Sequence, residues 1–341
     1  MSRDPFAPNH VRVAVIGGGT GSFTLLSALK DHTSQLAALV NMADDGGSTG
    51  VLRDELGALP PGDVRQCLVA LSDSPKLREL FNYRFEEGTL KGHAFGNLFL
   101  TALEKMTGDF AEGVGLAGEV LNIKGVVEPI TLTNVKLAMK DKAGEVVRGE
   151  FEIAQRNFEG GKPEFWLEPH AEANPVAIEA IKQADIVIVA PGNLYGSLAP
   201  ALVVPGIGEA LAESHALRIY VCNLVTKPGQ TDGYSVCDFA DEIERLAGTK
   251  FLDAVVFNTE APSERLLKKY AADGELAVTF DQEALENAHY VAIGAPLISG
   301  KIWRNKNKSD PISAHRTLIR HDPTVVANTI FGLYNERGRQ E

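Results

Sequence analysis

The sequence predicts an α/β fold: a Rossmann-like parallel sheet with helices on both faces, plus a helical and β-hairpin insertion. Three observations point there. Short runs rich in β-branched residues stop at glycine or proline, as buried parallel strands do. Stretches of helical character lie between those runs, which is the pattern of a covered parallel sheet. The loops that follow the runs carry Gly, Asn, Asp, Ser or Thr, and this puts a shared crevice on one edge.

Residues 11–16 read as the first buried strand, 22–30 as a helix, and Leu36 to Val40 as the second strand. Later strands are expected at 184–190, 217–222, 254–258 and 289–293. Helices are expected near 174–183, 200–213, 235–247 and 263–271. The middle differs. Residues 61–122 are mostly helical in pattern, and 126–168 read as strands. Within that block, 135–139 and 145–153 form a hairpin through Asp141-Lys142-Ala143-Gly144. The stretch 61–168 is therefore expected as an insertion in a single domain spanning 1–341, with a frayed tail at 335–341.

Composition excludes several classes. The 341 residues carry 33 Lys and Arg against 45 Asp and Glu, a net charge of −12. That balance argues against nonspecific nucleic-acid binding, which needs clustered cations, yet it leaves a single nucleotide as a ligand. No run of about 18 apolar residues exists, so no membrane insertion is expected. Met1 to His10 lacks the apolar core of a signal peptide. Cys67, Cys222 and Cys237 show no C-x-x-C spacing, so neither a disulfide framework nor a cysteine zinc site is expected. The expectation is a reduced, cytoplasmic protein. An exposed helix face could support a homodimer.

Six loops could carry chemistry. Gly17-Gly18-Gly19-Thr20-Gly21 joins strand to helix, where backbone N–H groups and the helix dipole favour an anion. The bland alternative is a tight turn. It is not the dinucleotide fingerprint, because the last glycine is replaced by Ser22. The second loop, Asn41 to Gly50, places Asp44 and Asp45 at the same edge, either to hold Mg²⁺, to act as a base, or merely to shape a turn. In the third, Asp63 is expected to cap its own helix and Arg65 to reach a phosphate. His93 and Asn97 in Gly92-His93-Ala94-Phe95-Gly96-Asn97 could bond a phosphate or carry a proton. Asn193 and Ser197 lie in the fifth loop, and Asn223 and Lys227 in the sixth. The run Lys301 to Lys308 and the later Arg320 could form a cationic cover or a solvated surface.

As a set, these segments resemble the YvcK/CofD-like family, closest to its bacterial gluconeogenesis-factor branch. The motifs occur in family order from residue 11 to about 330. The resemblance implies a cytoplasmic protein that binds UDP-sugars such as UDP-N-acetylglucosamine. It also implies a regulatory role in cell shape and wall synthesis during gluconeogenic growth, with no certain cofactor and Mg²⁺ possible. Carried over residue by residue, Gly18, Gly19, Thr20 and Gly21 match the phosphate loop. His93 and Asn97 join the nucleotide-binding set. Asn193 and Ser197 line the nucleotide, Asn223 and Lys227 flank base or sugar, and Arg320 lies in the UDP-sugar segment. The transferase branch implies an alternative: a Mg²⁺-dependent 2-phospho-L-lactate transferase with a nucleotide-activated donor and a deazaflavin acceptor. There Asp44 and Asp45 would be catalytic, with Asp45 at the metal. Val51, Gly196 and Lys227 depart from the gluconeogenesis branch, which often has Arg, Thr and Gln there, and all three touch ligand-facing loops. A nicotinamide oxidoreductase is the weakest reading, because its fingerprint fails at Ser22.

Overall fold

The structure, a computed structural model, describes residues 10–158, 160–300 and 319–339. Its strands are β1 (Val13–Gly17), β2 (Leu36–Val40), β3 (Val126–Pro129), β4 (Lys136–Lys140), β5 (Val146–Arg148), β6 (Glu164–Glu168), β7 (Ile186–Val189), β8 (Leu217–Val221), β9 (Ala254–Asn258) and β10 (Val291–Ala295). Seven of them form one sheet in the order β10-β9-β8-β7-β1-β2-β3, with every pairing parallel. The chain winds outward from β1 through β2 to β3, then restarts on the other side of β1 at β7. The strand order therefore reverses between β1 and β7, and a ligand crevice in such sheets opens at that point.

Both faces of the sheet are covered because its strands are apolar on both sides. Along β1, Val13 and Val15 enter one core, while Ala14 and Ile16 enter the other. The first core is closed by α1 (Gly19–Leu29) and by crossover helices that follow α2 (Gly47–Leu56): α3 (Pro61–Leu71), α4 (Pro75–Asn82), α5 (Phe95–Thr107) and α6 (Phe110–Leu121). The C-terminal helix Pro323–Arg337 completes that layer through Val326, Ala327 and Ile330. Fully buried Leu26 and Leu29 of α1 each contribute on the order of 2 kcal/mol by leaving water. The second core lies under helices 175–183, 207–213 and 236–247 and under a small antiparallel sheet, β5-β4-β6. Phe165 of β6 stacks on Tyr195, with ring centroids 5.1 Å apart.

Several sequence expectations change. Helix α1 starts at Gly19 rather than 22, so its first N–H groups lie inside the glycine loop. The helix expected over 200–213 is two, Ala199–Leu202 and Ile207–Glu213, broken where Gly206 takes φ +97°. Residues 126–129 pair with β2, so a strand of the main sheet divides the 61–168 stretch. The second hairpin strand ends at Arg148; Gly149, at φ +97°, turns the chain into a short helix, α7 (Glu150–Ile153). Residues 335–337, expected to fray, close the C-terminal helix. The basic run 301–308 lies outside the described residues. Among the described residues no single helix is long and apolar enough to cross a membrane.

Candidate functional site

The loops after β1 and β7 meet at the point where the strand order reverses. They approach so closely that a Cβ on Gly21 would collide with the Pro191 carbonyl oxygen, which excludes every other residue there. The loop after β8 is tied in by Asn223. Its Nδ2 donates to the Gly192 carbonyl at 2.7 Å, and its Oδ1 accepts from the Gly192 N–H at 3.2 Å. A π-helical turn, Leu194–Leu198, continues from Gly192, and the Gly196 N–H donates to Asn193 Oδ1.

A pocket of about 260 Å³ opens between these loops. Thr20, Gly21 and Thr24 of α1 form one wall, and Asn193, Asn223 and Lys227 line the sheet edge. Arg320 and His321 reach in from the segment before the C-terminal helix. Leu194, Leu224, Tyr270 and Ile319 supply its apolar surface. His321 Nε2 lies 3.0 Å from the Cys222 carbonyl oxygen, which can only accept, so Nε2 carries the hydrogen. Burial pushes the His321 imidazole down to about 4, against the favourable Cys222 carbonyl. The ring is therefore neutral at pH 7, with Nδ1 as an acceptor. Burial also lowers the Arg320 guanidinium.

On the other side of the α1 N-terminus lies a larger cavity of about 750 Å³. Asp44, Asp63 and Glu150 line it together with Arg65, Arg84, Lys91, His93 and Asn97. Asp63 does not cap its own helix: α3 starts at Pro61 with Pro60 as N-cap, so Asp63 is the third residue of its first turn. Its carboxylate accepts from the Gly19 N–H instead. A Cβ on Gly18 would collide with Asp63 Oδ2. One donor of the expected phosphate loop is thus already taken, which leaves Thr20 and Gly21 facing the smaller pocket.

The carboxylates raise one another. Burial, then Asp44, push Asp63 up to about 7, against the Gly19 hydrogen bond and Arg65. Burial, then Asp44, Asp63 and Asp45, push Glu150 up to about 8, with Lys227 opposing. Burial raises Asp44 as well, although the Gly46 N–H and Thr49 favour its charged form. A Cβ at Gly196 would meet Glu150 Oε1, so glycine is what lets that carboxylate approach the loop. Asp45 is engaged elsewhere: its Oδ1 accepts from the Phe151 N–H at 2.9 Å. The expected Asp44–Asp45 pair is therefore replaced by Asp44, Asp63 and Glu150. Among the described residues, no group of three or more His, Cys, Asp or Glu side chains is arranged to hold a metal ion.

The nucleotide-binding residues expected from sequence divide between the two spaces. Thr20, Gly21, Asn193, Asn223, Lys227 and Arg320 line the smaller one; His93, Asn97 and Ser197 line the larger. Gly18 and Gly19 stand between them under Asp63. Asn223, expected to read a base or sugar, spends its amide on Gly192 and acts by fixing the loop. Glu150, His321, Tyr270 and Thr24 were not singled out from sequence. Only His321 had a signal, its place between Arg320 and Asp322.

From Val13 to Ile298, the chain matches the family described as 2-phospho-L-lactate transferase CofD. It belongs to this family. Among its relatives, the gluconeogenesis factor of Halalkalibacterium halodurans is 40% identical over 94% of this chain and 95% of its own length. The gluconeogenesis factor of Bacillus subtilis is 37% identical over 95% and 98%. A crystal structure of a UPF0052 family member from Bacillus halodurans superposes with a TM-score of 0.84 at 37% identity, covering 94% of this chain and 98% of that one. Both of these curated relatives carry the name gluconeogenesis factor.

Proposed function

We propose that this chain binds a UDP-sugar such as UDP-N-acetylglucosamine and acts as a cytoplasmic regulator of cell shape and wall synthesis during gluconeogenic growth. The smaller pocket carries the reading. It combines an apolar wall, a neutral acceptor at His321, the first turn of α1 and two cations, Lys227 and Arg320. Those features suit a nucleoside followed by a diphosphate, since helix N-termini and arginines both favour phosphate oxygens. The sugar would extend past Asn193 and Ser197 toward the larger cavity. The gluconeogenesis-factor names of the relatives support the regulatory half.

The test is calorimetric titration with UDP-N-acetylglucosamine, UDP-glucose and GDP, each with and without Mg²⁺. The reading expects the UDP-sugars to bind without metal. Binding of GDP alone, strengthened by Mg²⁺, would overturn it.

One observation favours a second reading, a phosphoryl-group transferase like the one that the family description names. Asp63, raised to about 7, is suited to accept a proton from an acceptor hydroxyl at neutral pH. A bound Mg²⁺ would neutralise charge on a diphosphate leaving group. Among the described residues the carboxylates form no three-ligand cage, so no step is assigned to a metal. Substituting Asp63→Asn separates the readings: a transferase would lose turnover by orders of magnitude, whereas a binding protein would keep its ligand.

A further inference from the structure

The larger cavity has one wall made of hydrogen-bond donors. Arg65 is 7% exposed, and its guanidinium is held by two amides. Nε donates to Asn97 Oδ1 at 2.9 Å, and the Asn82 Oδ1 takes a bond from Nη1. Because Arg65 can only donate, the Asn97 oxygen must face it, and the Asn97 Nδ2 must face away. Nδ2 donates to Ser48 Oγ at 3.3 Å. Ser48 Oγ in turn lies 2.9 Å from His93 Nδ1; with Ser48 as the donor, the hydrogen of a neutral ring sits on Nε2. The chain thus runs from Arg65 through Asn97 and Ser48 and ends at the His93 ring, which lines the cavity.

Arg84 and Lys91 line the same wall. Arg84 places one nitrogen on the Gly92 carbonyl at 2.6 Å, which fixes its guanidinium beside the cavity. Among the described residues, no carboxylate forms an ion pair with Arg65, Arg84 or Lys91. Burial and the nearby Arg84 lower the Arg65 guanidinium to about 10, against Asp63 and Asp44. Like charges held together without a directly paired carboxylate favour an anion that can bridge them.

We propose that this wall, Arg65, Arg84, Lys91 and His93, is a second anion site that takes the oxyanion of a small hydroxylated phosphate or carboxylate. It is distinct from the position of a nucleotide phosphate beside Thr20 and Gly21. The opposite wall suits the rest of such a molecule, because Asp44 and Glu150 can accept from hydroxyl groups. At about 750 Å³ the cavity lies within the size range of a complete ligand pocket. Arg65 supplies the fixed fork, and Arg84 and Lys91 supply charge at the mouth.

The experiment is calorimetric titration of inorganic phosphate into the full chain, with and without saturating UDP, using wild type, Arg84→Gln, Lys91→Ala and Arg320→Ala. Phosphate should bind wild type whether or not UDP is present. Arg84→Gln should weaken it about ten-fold or more, the worth of one charged hydrogen bond. Lys91→Ala, at an exposed position, should weaken it less and serves if the arginine variant fails to fold. Arg320→Ala should leave phosphate affinity unchanged. Glycerol 3-phosphate and glycerate, titrated side by side, tell a phosphate ligand from a carboxylate one. Three results would overturn the proposal: no phosphate binding to wild type, displacement of phosphate by UDP, or unchanged affinity in both Arg84→Gln and Lys91→Ala. A loss of UDP binding with phosphate binding intact would sink the nucleotide reading and leave this site standing.

Discussion

The Gly19 backbone N–H donates to the Asp63 carboxylate, so a side chain of α3 sits on the N-terminus of α1. α1 has Gly18 as its N-cap and no acidic residue in its first turn. Asp63 therefore supplies from another helix what a capping side chain supplies locally. Gly18 permits this by having no Cβ. Gly18→Ala should lower stability by about 1–3 kcal/mol through overpacking. Asp63→Ala should remove the obstacle, so the double variant should cost less than the sum of the singles. Urea denaturation of all four proteins measures that coupling.

Gly21→Ala should be worse than Gly18→Ala. At Gly18 the obstacle is the end of a side chain, which can turn away. At Gly21 it is the Pro191 carbonyl, so the strand-end loops would have to separate. The variant should lose both thermal stability and UDP-sugar affinity. A normal melting temperature with normal binding would mean that the two loops are not so tightly apposed.

The raised carboxylates give stability a pH dependence of known sign. Asp63 and Glu150 stand at about 7 and about 8 in the folded chain, against ordinary values of 3.8 and 4.5. Between those limits the native state holds protons that the unfolded chain has released. Their contribution is complete below the ordinary values and is lost as pH rises through 7 and 8. Stability should fall between about pH 4 and about pH 8, by at most about 1.4 kcal/mol per unit for each group. Glu150→Gln should flatten that fall. Urea midpoints across the range, compared between the two proteins, decide the matter.

Away from the site, Glu242 holds the outer layer to the core. It is fully buried and pairs with Arg245 at 2.6 Å and Lys162 at 3.0 Å. Arg245 also donates to the Pro163 carbonyl, next to β6. Glu242→Ala should cost about 1–3 kcal/mol, because it removes the shared hydrogen-bond acceptor of two partly exposed cations. Lys162→Ala, half-exposed, should cost about 1 kcal/mol or less.

The sheet was legible because β-branched runs such as Ile186–Val189 and Ala254–Asn258 are buried on both faces and end at glycine or polar residues. The placement of short strands was not: 126–129 reads as a strand, but its pairing with β2 in the main sheet is not encoded by local sequence. The site was half legible. Loops that directly follow strands must share the sheet edge, and Thr20, Asn193 and Lys227 do line one pocket there. Asp63 and Glu150 were undervalued because they come from a helix and from a turn after the hairpin. Only packing brings them to Gly19 and Gly196. Asn223 lies at that edge as expected, but sequence does not show that its amide also bonds Gly192.

The central claim is that a nucleotide sits between the β1, β7 and β8 loops under Arg320. Titrating UDP-N-acetylglucosamine into wild type and Arg320→Ala, without Mg²⁺, tests it most directly. The account predicts binding to wild type and at least about ten-fold weaker binding to the variant, as for a lost charged contact to phosphate. Equal affinity in the two proteins, or none in wild type, would contradict it.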